Sequence, residues 1–531
     1  MYIHAIQAFS GWKQQALAFF FGILTALSLP PIHFFAVCFL TFPLLVWLLD
    51  GVYEKCVMMH RNRKCYGLAA LIGWDFGFGY FSAGLWWLGS AMLVDVSSYG
   101  WAIPFAMLGL PAFLAFFYAL ATCVAFIIWQ CGYGRIVVLS CAFGLAEWLR
   151  GHIFTGFPWN AIGYTAMPFP LLMQPAAILG IYGMNVLAVL VYATPALLNE
   201  QRDRKTGMAI ALILITIDIS FGLARLYNSS AKETKTNETI RVRLIQTVIP
   251  QDAKIDHVTW QEYFERQLLY LSLATPLKGE ALPQLIIWPE SSVPYVLAHA
   301  PGTLMRIGNI LKDGQLVLIG TIRAEENKSD KGHYQYFNSL QVIDPDSRIV
   351  ASADKVRLVP FGEYFPFAAF FRQFGLKAFA ETAGGYSAGA EHAIIPLANG
   401  LVILPLICYE AIFPIEFDYE GFNPDVLVNI TNDAWFGNTP GPWQHFAQAR
   451  IRAVEQEIPL IRVANHGISA VVDSYGRVSM MLRYNESGFA DIDLPKQSFF
   501  KNKTNRKNIY FYYILTIFFL YSIVLKFSHE Y

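Results

Sequence analysis

Three side chains suited to nucleophilic chemistry lie at predicted strand ends in apolar surroundings, all in the second half of the chain. Glu290 closes LIIWPES, Lys355 lies in ADKVRLVPFGEYFP, and Cys408 closes LICYE. A carboxylate can take the proton of an attacking thiol, and an ammonium can stabilise the oxyanion that forms. A core cysteine is the ordinary alternative for Cys408, because free cysteines are commonly buried. The other six of the seven cysteines lie before residue 142, which favours a special role for Cys408.

The composition excludes several classes of protein. Hydrophobic residues make up 55% of the 531 residues, and the mean hydropathy is +0.39. Both values are too apolar for a soluble enzyme of this length, so we predict a membrane protein. The net charge of +0 gives no basic surface for nucleic acid. No zinc-type Cys/His spacing is visible and the polar segment has no paired cysteines, so we expect neither a metal site nor a disulfide framework there.

Apolar runs predict eight transmembrane helices. Residues 1–230 contain seven of them and residues 505–531 the eighth, each run being near or above the roughly 17 to 25 residues that cross a bilayer. The runs lie near residues 14–30, 34–50, 66–93, 101–131, 135–150, 170–198, 207–227 and 509–527.

Basic residues in the short loops predict the orientation. Lys13, Arg135 and the clusters at 55–64 and 202–205 fall on one side of the predicted spans, and the opposite short loops offer only Arg150. The positive-inside rule places the basic side in the cytoplasm. We therefore expect cytoplasmic N- and C-termini and an extracytoplasmic segment at residues 239–495, which in a bacterium is periplasmic.

Residues 239–495 read as an α/β domain. Short β-prone runs alternate with amphipathic helical patterns such as 259–274 and 443–456. In the apolar half, Glu147 and Arg150 lie three residues apart, where they can pair on one helix face ahead of Phe157-Pro158-Trp159-Asn160. This motif is either functional or an interfacial pair that anchors its helix.

These motifs together resemble a known family. Glu290 in WPES, Lys355 in DKVRLVPFGEY and Cys408 in ICYE resemble the Glu-Lys-Cys triad of the nitrilase (carbon–nitrogen hydrolase) superfamily, whose fold is an αββα sandwich. Combined with the predicted spans, EWLRG, FPWN and NDAWFGNTPGPWQH (432–445), the whole chain is similar to the apolipoprotein N-acyltransferase family.

That resemblance implies a two-step acyl transfer. Cys408 would take an acyl chain from a membrane phospholipid, with phosphatidylethanolamine expected, and pass it to the α-amino group of a diacylglyceryl-cysteine on an apolipoprotein. Glu290 would be the base, Lys355 the oxyanion partner and Glu363 a positioning residue. Tyr409 and Glu410 match further functional positions, with strand-end packing and capping as the alternative. No cofactor is implied, and we expect a monomer in the bacterial inner membrane.

An apolar segment follows PFGEY. Residues 365–380, FPFAAFFRQFGLKAFA, include Phe365, Phe370 and Phe371, and we interpret them as an arm that admits lipid chains, with a core helix as the alternative. The chain departs from the family pattern at Ile255, where a tryptophan is usual, and at His466, where a threonine is usual.

Two other functions use the same features. A membrane-tethered amidase would employ the same triad but would not need a lipid-facing arm. A transporter or sensor with a ligand-binding nitrilase-like domain would not need the intact set of Glu290, Lys355 and Cys408.

Overall fold

The computed structural model describes the chain outside residues 1, 59–62, 94–95, 201–202, 234–237, 250–259, 277–278, 328–331, 367–384, 416–423, 496–508, 518–519 and 521–531. The chain divides into two compact units. The helical unit contains Met1–Asn228, Asn438–Ile451 and Asn505–Tyr531, and the sheet unit contains Ser229–Gly437 and Arg452–Thr504. The predicted domain boundaries did not anticipate that residues 438–451 belong with the helices.

The helical unit follows the apolar runs of the sequence. Its helices are α1 (Tyr2–Ala8), α2 (Trp12–Thr25), α3 (Cys38–Met58), α4 (Arg63–Leu85), α5 (Leu88–Met92), α6 (Val96–Tyr99), α7 (Leu110–Ile127), α8 (Gly134–His152), α9 (Ile162–Thr165), α10 (Pro170–Met173), α11 (Ala176–Ala193) and α12 (Arg204–Glu233). A disulfide joins Cys56 of α3 to Cys65 of α4.

Five helical stretches of the described chain are long and apolar enough to cross a membrane. They are Phe35–Val57, Arg63–Leu85, Gly100–Ile127, Ala176–Asn199 and Arg204–Ser229. Helix α2 has only 14 residues, and α8 has 19 residues but carries Arg135, Glu147 and Arg150. Residues 509–517 of the last predicted span are helical. The total of eight spans therefore stays a prediction.

Helices α2 and α4 approach each other closely because each presents a glycine to the other. A Cβ atom on Gly22 would lie 2.0 Å from the carbonyl oxygen of Phe76, and one on Gly79 would lie 2.0 Å from that of Phe19. Apolar helices gain little from hydrophobic burial inside a bilayer, so small residues that let backbones approach are the usual means of association.

The sheet unit is built from two β-sheets. The strands are β1 (Thr239–Gln246), β2 (Leu285–Ile287), β3 (Val293–Val296), β4 (Leu316–Glu326), β5 (Tyr334–Ile343), β6 (Ile349–Asp354), β7 (Ile395–Pro396), β8 (Val402–Ile407), β9 (Val426–Asn432), β10 (Leu460–Asn465), β11 (Ala470–Val472), β12 (Val478–Met481) and β13 (Gly488–Pro495). The first sheet has the order β13-β1-β2-β4-β5-β6, with β3 against β4, and the second has the order β12-β11-β10-β9-β8-β7.

One apolar core lies between the two sheets. Its side chains come from both, for example Leu244 and Ile287 from the first sheet and Ile403 and Val428 from the second. The sequences of these strands are continuously apolar because a strand buried on both faces needs apolar residues at every position. Helices α13 (Trp260–Ala274) and α14 (Pro301–Ile310) cover the other face of the first sheet, where Tyr270 stacks on Trp288.

Strands β8, β9 and β10 are parallel, so their carboxyl ends meet at one edge of the second sheet. Thr247, just after β1, bridges to Asn465 at the end of β10 and brings the first sheet to the same edge. Polar residues that follow these strands are thereby brought close together. Helix α15 (Gly441–Gln456) runs between β9 and β10.

Candidate active site

Cys408 is the first residue after β8 and begins a short 3-10 helix, Cys408–Ile412. Its φ of 53° is unusual for a residue other than glycine, and such strain is held only where the surroundings fix it. Glu410 supplies part of that support, because its Oε2 accepts a hydrogen bond of 2.6 Å from the backbone N–H of Ile407. The turn directs the thiol away from the strand, in the manner of a nucleophile elbow.

Glu290 lies in the turn after β2, and it is 6% exposed. Its Oε2 accepts a 2.7 Å hydrogen bond from the backbone N–H of Asn432, at the end of β9. Gly320 of β4 allows this placement, because a Cβ atom there would lie 2.5 Å from the Cα of Glu290. The residue is therefore held by both sheets.

Lys355 follows β6 and is 1% exposed. Its Nζ lies 2.8 Å from Oε1 of Glu363 and 3.4 Å from Oε1 of Glu290. Asn338 of β5 connects the same two carboxylates, since its Nδ2 donates at 2.8 Å to Glu290 and at 2.9 Å to Glu363. The backbone N–H of Val359 donates at 2.7 Å to the second oxygen of Glu363.

Charge ties Cys408 to this cluster. Burial lowers the pKa of the Lys355 ammonium, but Glu363, Glu290 and Cys408 outweigh that effect, so the pKa lies well above its ordinary value and the lysine stays charged. Burial raises the pKa of the Cys408 thiol and Glu290 adds to the rise, whereas Lys355 opposes it. The resting site therefore favours a protonated thiol beside a charged lysine and a base.

Tyr409 and Glu410 follow Cys408 directly in the chain. Oε1 of Glu410 accepts hydrogen bonds from the backbone N–H groups of Val356 (2.7 Å) and Arg357 (3.1 Å), which follow Lys355 directly. Burial raises the pKa of Glu410 to about 7, and these N–H groups oppose the rise. Tyr409 is buried and packs edge-on against Phe413 at 5.1 Å. Glu410 thus links the nucleophile's turn to the segment that carries the lysine.

The sequence reasoning missed several polar residues in this region. Asn338 and Asn432 donate hydrogen bonds to Glu290, and the Thr431 hydroxyl lowers the pKa of the Cys408 thiol. Asp433 and Arg462 form a buried ion pair at 2.7 Å. Asn432 and Asp433 stand in the NDAWFG motif, which was noticed as part of the resemblance but given no role. A polar residue inside an apolar run, such as Asn338 in YFNSL, is the signal that could have identified the others.

The Glu147–Arg150 motif is buried inside the helical unit. Both side chains are fully buried and form an ion pair within the helical unit, and the choice between a functional motif and an interfacial anchor stays a prediction. Arg150 also donates to the carbonyl oxygens of Phe157 and Trp159, and the Tyr118 hydroxyl donates to Glu147 at 2.7 Å. The pair therefore holds the FPWN loop through the carbonyl groups of Phe157 and Trp159.

That loop in turn fixes residues 438–451 in the helical unit. Oε1 of Gln444 accepts hydrogen bonds of 3.0 Å from the Trp87 and Trp159 indoles and from the Asn160 amide. Its Nε2 donates to the carbonyl oxygen of Gly84 at 3.1 Å. One buried amide therefore satisfies four partners.

The remaining predicted positions are only partly described. Phe365 is half-buried and packs edge-on against the exposed Phe361 at 5.5 Å, whereas Phe370, Phe371 and Ile255 lie outside the described residues. His466 follows β10 with a φ of 50°, and burial lowers the pKa of its imidazole. Its ring nitrogens contact no hydrogen-bond partner in the described part of the chain.

This arrangement can support thiol acylation. A buried cysteine, a carboxylate and a charged lysine converge, which are the parts needed for attack, proton transfer and oxyanion stabilisation. Within the described ranges, no cluster of three or more His, Cys, Asp or Glu residues is placed to hold a metal ion.

Comparisons with known proteins agree with the fold. Residues 241–499 match the carbon–nitrogen hydrolase family model, so the sheet unit is a nitrilase-like domain. Residues 21–194 match the model of the apolipoprotein N-acyltransferase N-terminal domain. The chain belongs to the apolipoprotein N-acyltransferase family.

Relatives that match most of this chain are named apolipoprotein N-acyltransferase. Apolipoprotein N-acyltransferase of Brucella melitensis is 47% identical over 486 residues, covering 92% of this chain and 90% of that protein. The one from Sinorhizobium medicae is 47% identical over 489 residues, covering 92% and 91%. Among solved structures, an amidase from Nesterenkonia sp. aligns with 51% of this chain and 96% of its own at 18% identity, with a TM-score of 0.33.

Proposed function

We propose that this protein is an acyltransferase that moves an acyl chain from a membrane phospholipid, through a thioester on Cys408, to the α-amino group of an apolipoprotein. The observation that carries the proposal is the contact of Lys355 with both Glu290 and Glu363, beside a thiol whose charge both Lys355 and Glu290 influence. Membership of the family supports the substrate class.

The first half-reaction forms the thioester. Glu290 takes the S–H proton as the sulfur of Cys408 attacks the ester carbonyl of the phospholipid, expected to be phosphatidylethanolamine. The carbonyl oxygen becomes an oxyanion, and the Lys355 ammonium stabilises it at short range in a site shielded from water. Glu290 then returns the proton to the departing glycerol oxygen, which leaves as a lysophospholipid.

The second half-reaction uses Glu290 and Lys355 in the same roles. The α-amino group of the diacylglyceryl-cysteine attacks the thioester carbonyl, Lys355 again stabilises the oxyanion, and Glu290 takes a proton from the amine. The C–S bond breaks and the sulfur regains a proton. Glu363 keeps Lys355 aimed at the carbonyl throughout, because it holds the ammonium at 2.8 Å while its other oxygen is fixed by the N–H of Val359.

The test is the acyl-enzyme itself. Purified protein is incubated with phosphatidylethanolamine of one defined acyl chain and without acceptor. We expect the peptide that contains Cys408 to gain the mass of that chain and lose it on addition of an apolipoprotein peptide. A peptide whose α-amino group is blocked is the control and should leave the thioester intact. An unmodified Cys408 under turnover would contradict the proposal.

We further propose that eight spans place the catalytic domain in the periplasm of a bacterial inner membrane, with both termini cytoplasmic. Contacts within the helical unit support the placement of Arg135 and the basic cluster at 202–205 on the same side of the predicted spans. Arg135 pairs with Asp50 at 3.2 Å and Glu200 at 2.9 Å, and Asp203 accepts a hydrogen bond from the N–H of Tyr133. Tyr133 and Arg135 therefore lie beside Glu200 and Asp203 at one end of the bundle.

Reporter fusions check this topology. A periplasmic reporter fused after Glu238 is expected to be active, and the same reporter fused after Gln201 inactive, because one span separates the two sites. A cytoplasmic reporter at the same two sites is the matched control and should give the opposite pattern. If both reporters indicated a cytoplasmic position 238, the proposed acceptor could not be reached.

The arm at residues 365–380 is proposed to admit lipid. Changing Phe370 and Phe371 to Ser should slow acylation by phospholipid, since each buried Phe contributes about 1.5 to 3 kcal/mol of apolar burial. A short water-soluble ester donor should be processed as before, and released fatty acid should rise if water enters. Equal loss on both donors would mean that the segment only supports the fold.

A membrane-tethered amidase is the second candidate, because it would use the same triad. It would release a carboxylic acid without needing an amine acceptor. Product analysis in the presence of the acceptor peptide distinguishes the two functions. The protein is expected to act as a monomer without a cofactor.

A further inference from the structure

Thr431 lies in the strand beside Cys408, and its hydroxyl lowers the pKa of the Cys408 thiol. Strands β8 and β9 are parallel and pair Ile407 with Ile430, so Thr431 is level with the nucleophile. Its side chain is fully buried. The position of Thr431 is therefore set by strand register.

The same hydroxyl also contacts a carboxylate. Its Oγ1 donates to Oδ1 of Asp433 at 2.9 Å. A hydroxyl has one hydrogen and two lone pairs, so it can donate to the carboxylate or to the sulfur but not to both. While the hydrogen faces Asp433, the lone pairs of Thr431 can only accept the S–H of Cys408.

Asp433 is itself held in place. Nη2 of Arg462 lies 2.7 Å from its Oδ2, and both side chains are fully buried. Arg462 also donates to the side chain of Asn429. A guanidinium is permanently charged, so it supports an ionised and oriented carboxylate beside the threonine.

We propose that Thr431 is a positioning residue that turns its single hydroxyl hydrogen from Asp433 to the Cys408 sulfur when the thiol loses its proton. The proposal rests on the proposed role of Cys408 as the nucleophile. The S–H bond breaks and its proton goes to the Glu290 carboxylate. The O–H bond of Thr431 stays intact and only rotates about Cβ–Oγ1, so no further reactant is required.

The two orientations of the Thr431 hydroxyl stabilise different forms of the Cys408 sulfur, one the protonated thiol and the other the thiolate. With the hydrogen on Asp433, Thr431 accepts from the thiol and favours the protonated resting state. With the hydrogen on sulfur, it donates to the thiolate, and hydrogen bonds to a charged partner are the stronger kind. Burial, Glu290 and Asp433 raise the pKa of the thiol, and Thr431 and Lys355 are the groups that oppose the rise.

The experiment measures thiolate formation without lipid. Full-length wild type, Thr431→Val and Thr431→Ser react with iodoacetamide across a pH series, and mass analysis of the Cys408 peptide gives the rate. Valine keeps the shape of threonine without the hydroxyl, so we expect alkylation about tenfold slower at pH values below the pKa, equivalent to about one pKa unit. Thr431→Ser restores the hydroxyl and should recover the rate to within about threefold. Thermal unfolding verifies that the variants fold.

A third variant tests the orientation of the hydroxyl. Asp433→Asn keeps an acceptor oxygen but removes the negative charge, so alkylation should become faster, both through the lost charge and because the hydroxyl hydrogen is held less firmly away from sulfur. In a Thr431→Val background only the charge effect remains, so Asp433→Asn should speed alkylation less there than in the wild type. An equal gain in both backgrounds would overturn the proposal, as would wild-type rates in Thr431→Val. If wild type gained no acyl group from phospholipid while the three alkylation results held, only the proposed function would fail.

Discussion

Replacing Cys408 with Ala will abolish both formation of the acyl-enzyme and transfer to the acceptor. In the proposed mechanism the thiol supplies the atom to which the acyl chain is bonded, and no other free cysteine in the described chain lies in the sheet unit. Loss of a nucleophile typically costs several orders of magnitude in rate, so activity should fall below detection. Single-turnover assays with labelled phospholipid measure both steps separately.

Cys131→Ala is the matched control for this prediction. Cys131 is a free, exposed cysteine in the helical unit, and its replacement should leave both steps at wild-type rates. Appreciable transfer by Cys408→Ala would show that the acyl chain is carried elsewhere or passes directly between substrates.

Lys355→Met should slow acylation by about 10² to 10³, because one oxyanion partner is lost while the thiol remains. Methionine fills a similar volume, so a cavity contributes little. The variant should also lose stability, by about 3 to 5 kcal/mol, because Glu290 and Glu363 remain buried without their cation. Single-turnover acylation and urea unfolding measure the two effects.

The exposed Lys312 allows the same substitution as a control. Lys312→Met should change neither rate nor stability beyond about 0.5 kcal/mol, as is usual for surface positions. A normal rate of acylation in a folded Lys355→Met protein would remove the lysine from the mechanism. A change in stability alone would leave it as a structural ion-pair partner.

The convergence of Glu290, Lys355 and Cys408 could be anticipated from sequence. Glu290 and Cys408 each follow an apolar run that predicts a buried strand, and Lys355 lies at another predicted strand end. Their flanks also resembled a family motif. The contacts of Asn338 and Asn432 could not be anticipated, because they depend on strand pairing between segments far apart in the chain. No local pattern specifies that Asn432 is opposite Asn465 or that its N–H meets Glu290.

The pairing of Glu147 with Arg150 was predictable from helical spacing, but its burial was not. Whether an ion pair near the end of an apolar helix faces a membrane interface or the interior depends on its neighbours in space. Here the Tyr118 hydroxyl and the carbonyl groups of Phe157 and Trp159 enclose it. The burial of the pair by these groups depends on tertiary packing, which the spacing of residues along the helix does not predict.

The position of Gln444 has a consequence for dividing this protein into parts. A fragment cut at residues 239 and 495 would look complete by its strands, yet it would contain the beginning of α15 with an amide whose partners lie at Gly84, Trp87, Trp159 and Asn160. Residues 438–451 of that fragment would expose surface that the intact chain buries among its helices. The fragment 239–495 produced alone is therefore expected to aggregate rather than to behave as a soluble enzyme. A replacement of residues 438–451 by a short polar loop would have to accompany the cuts.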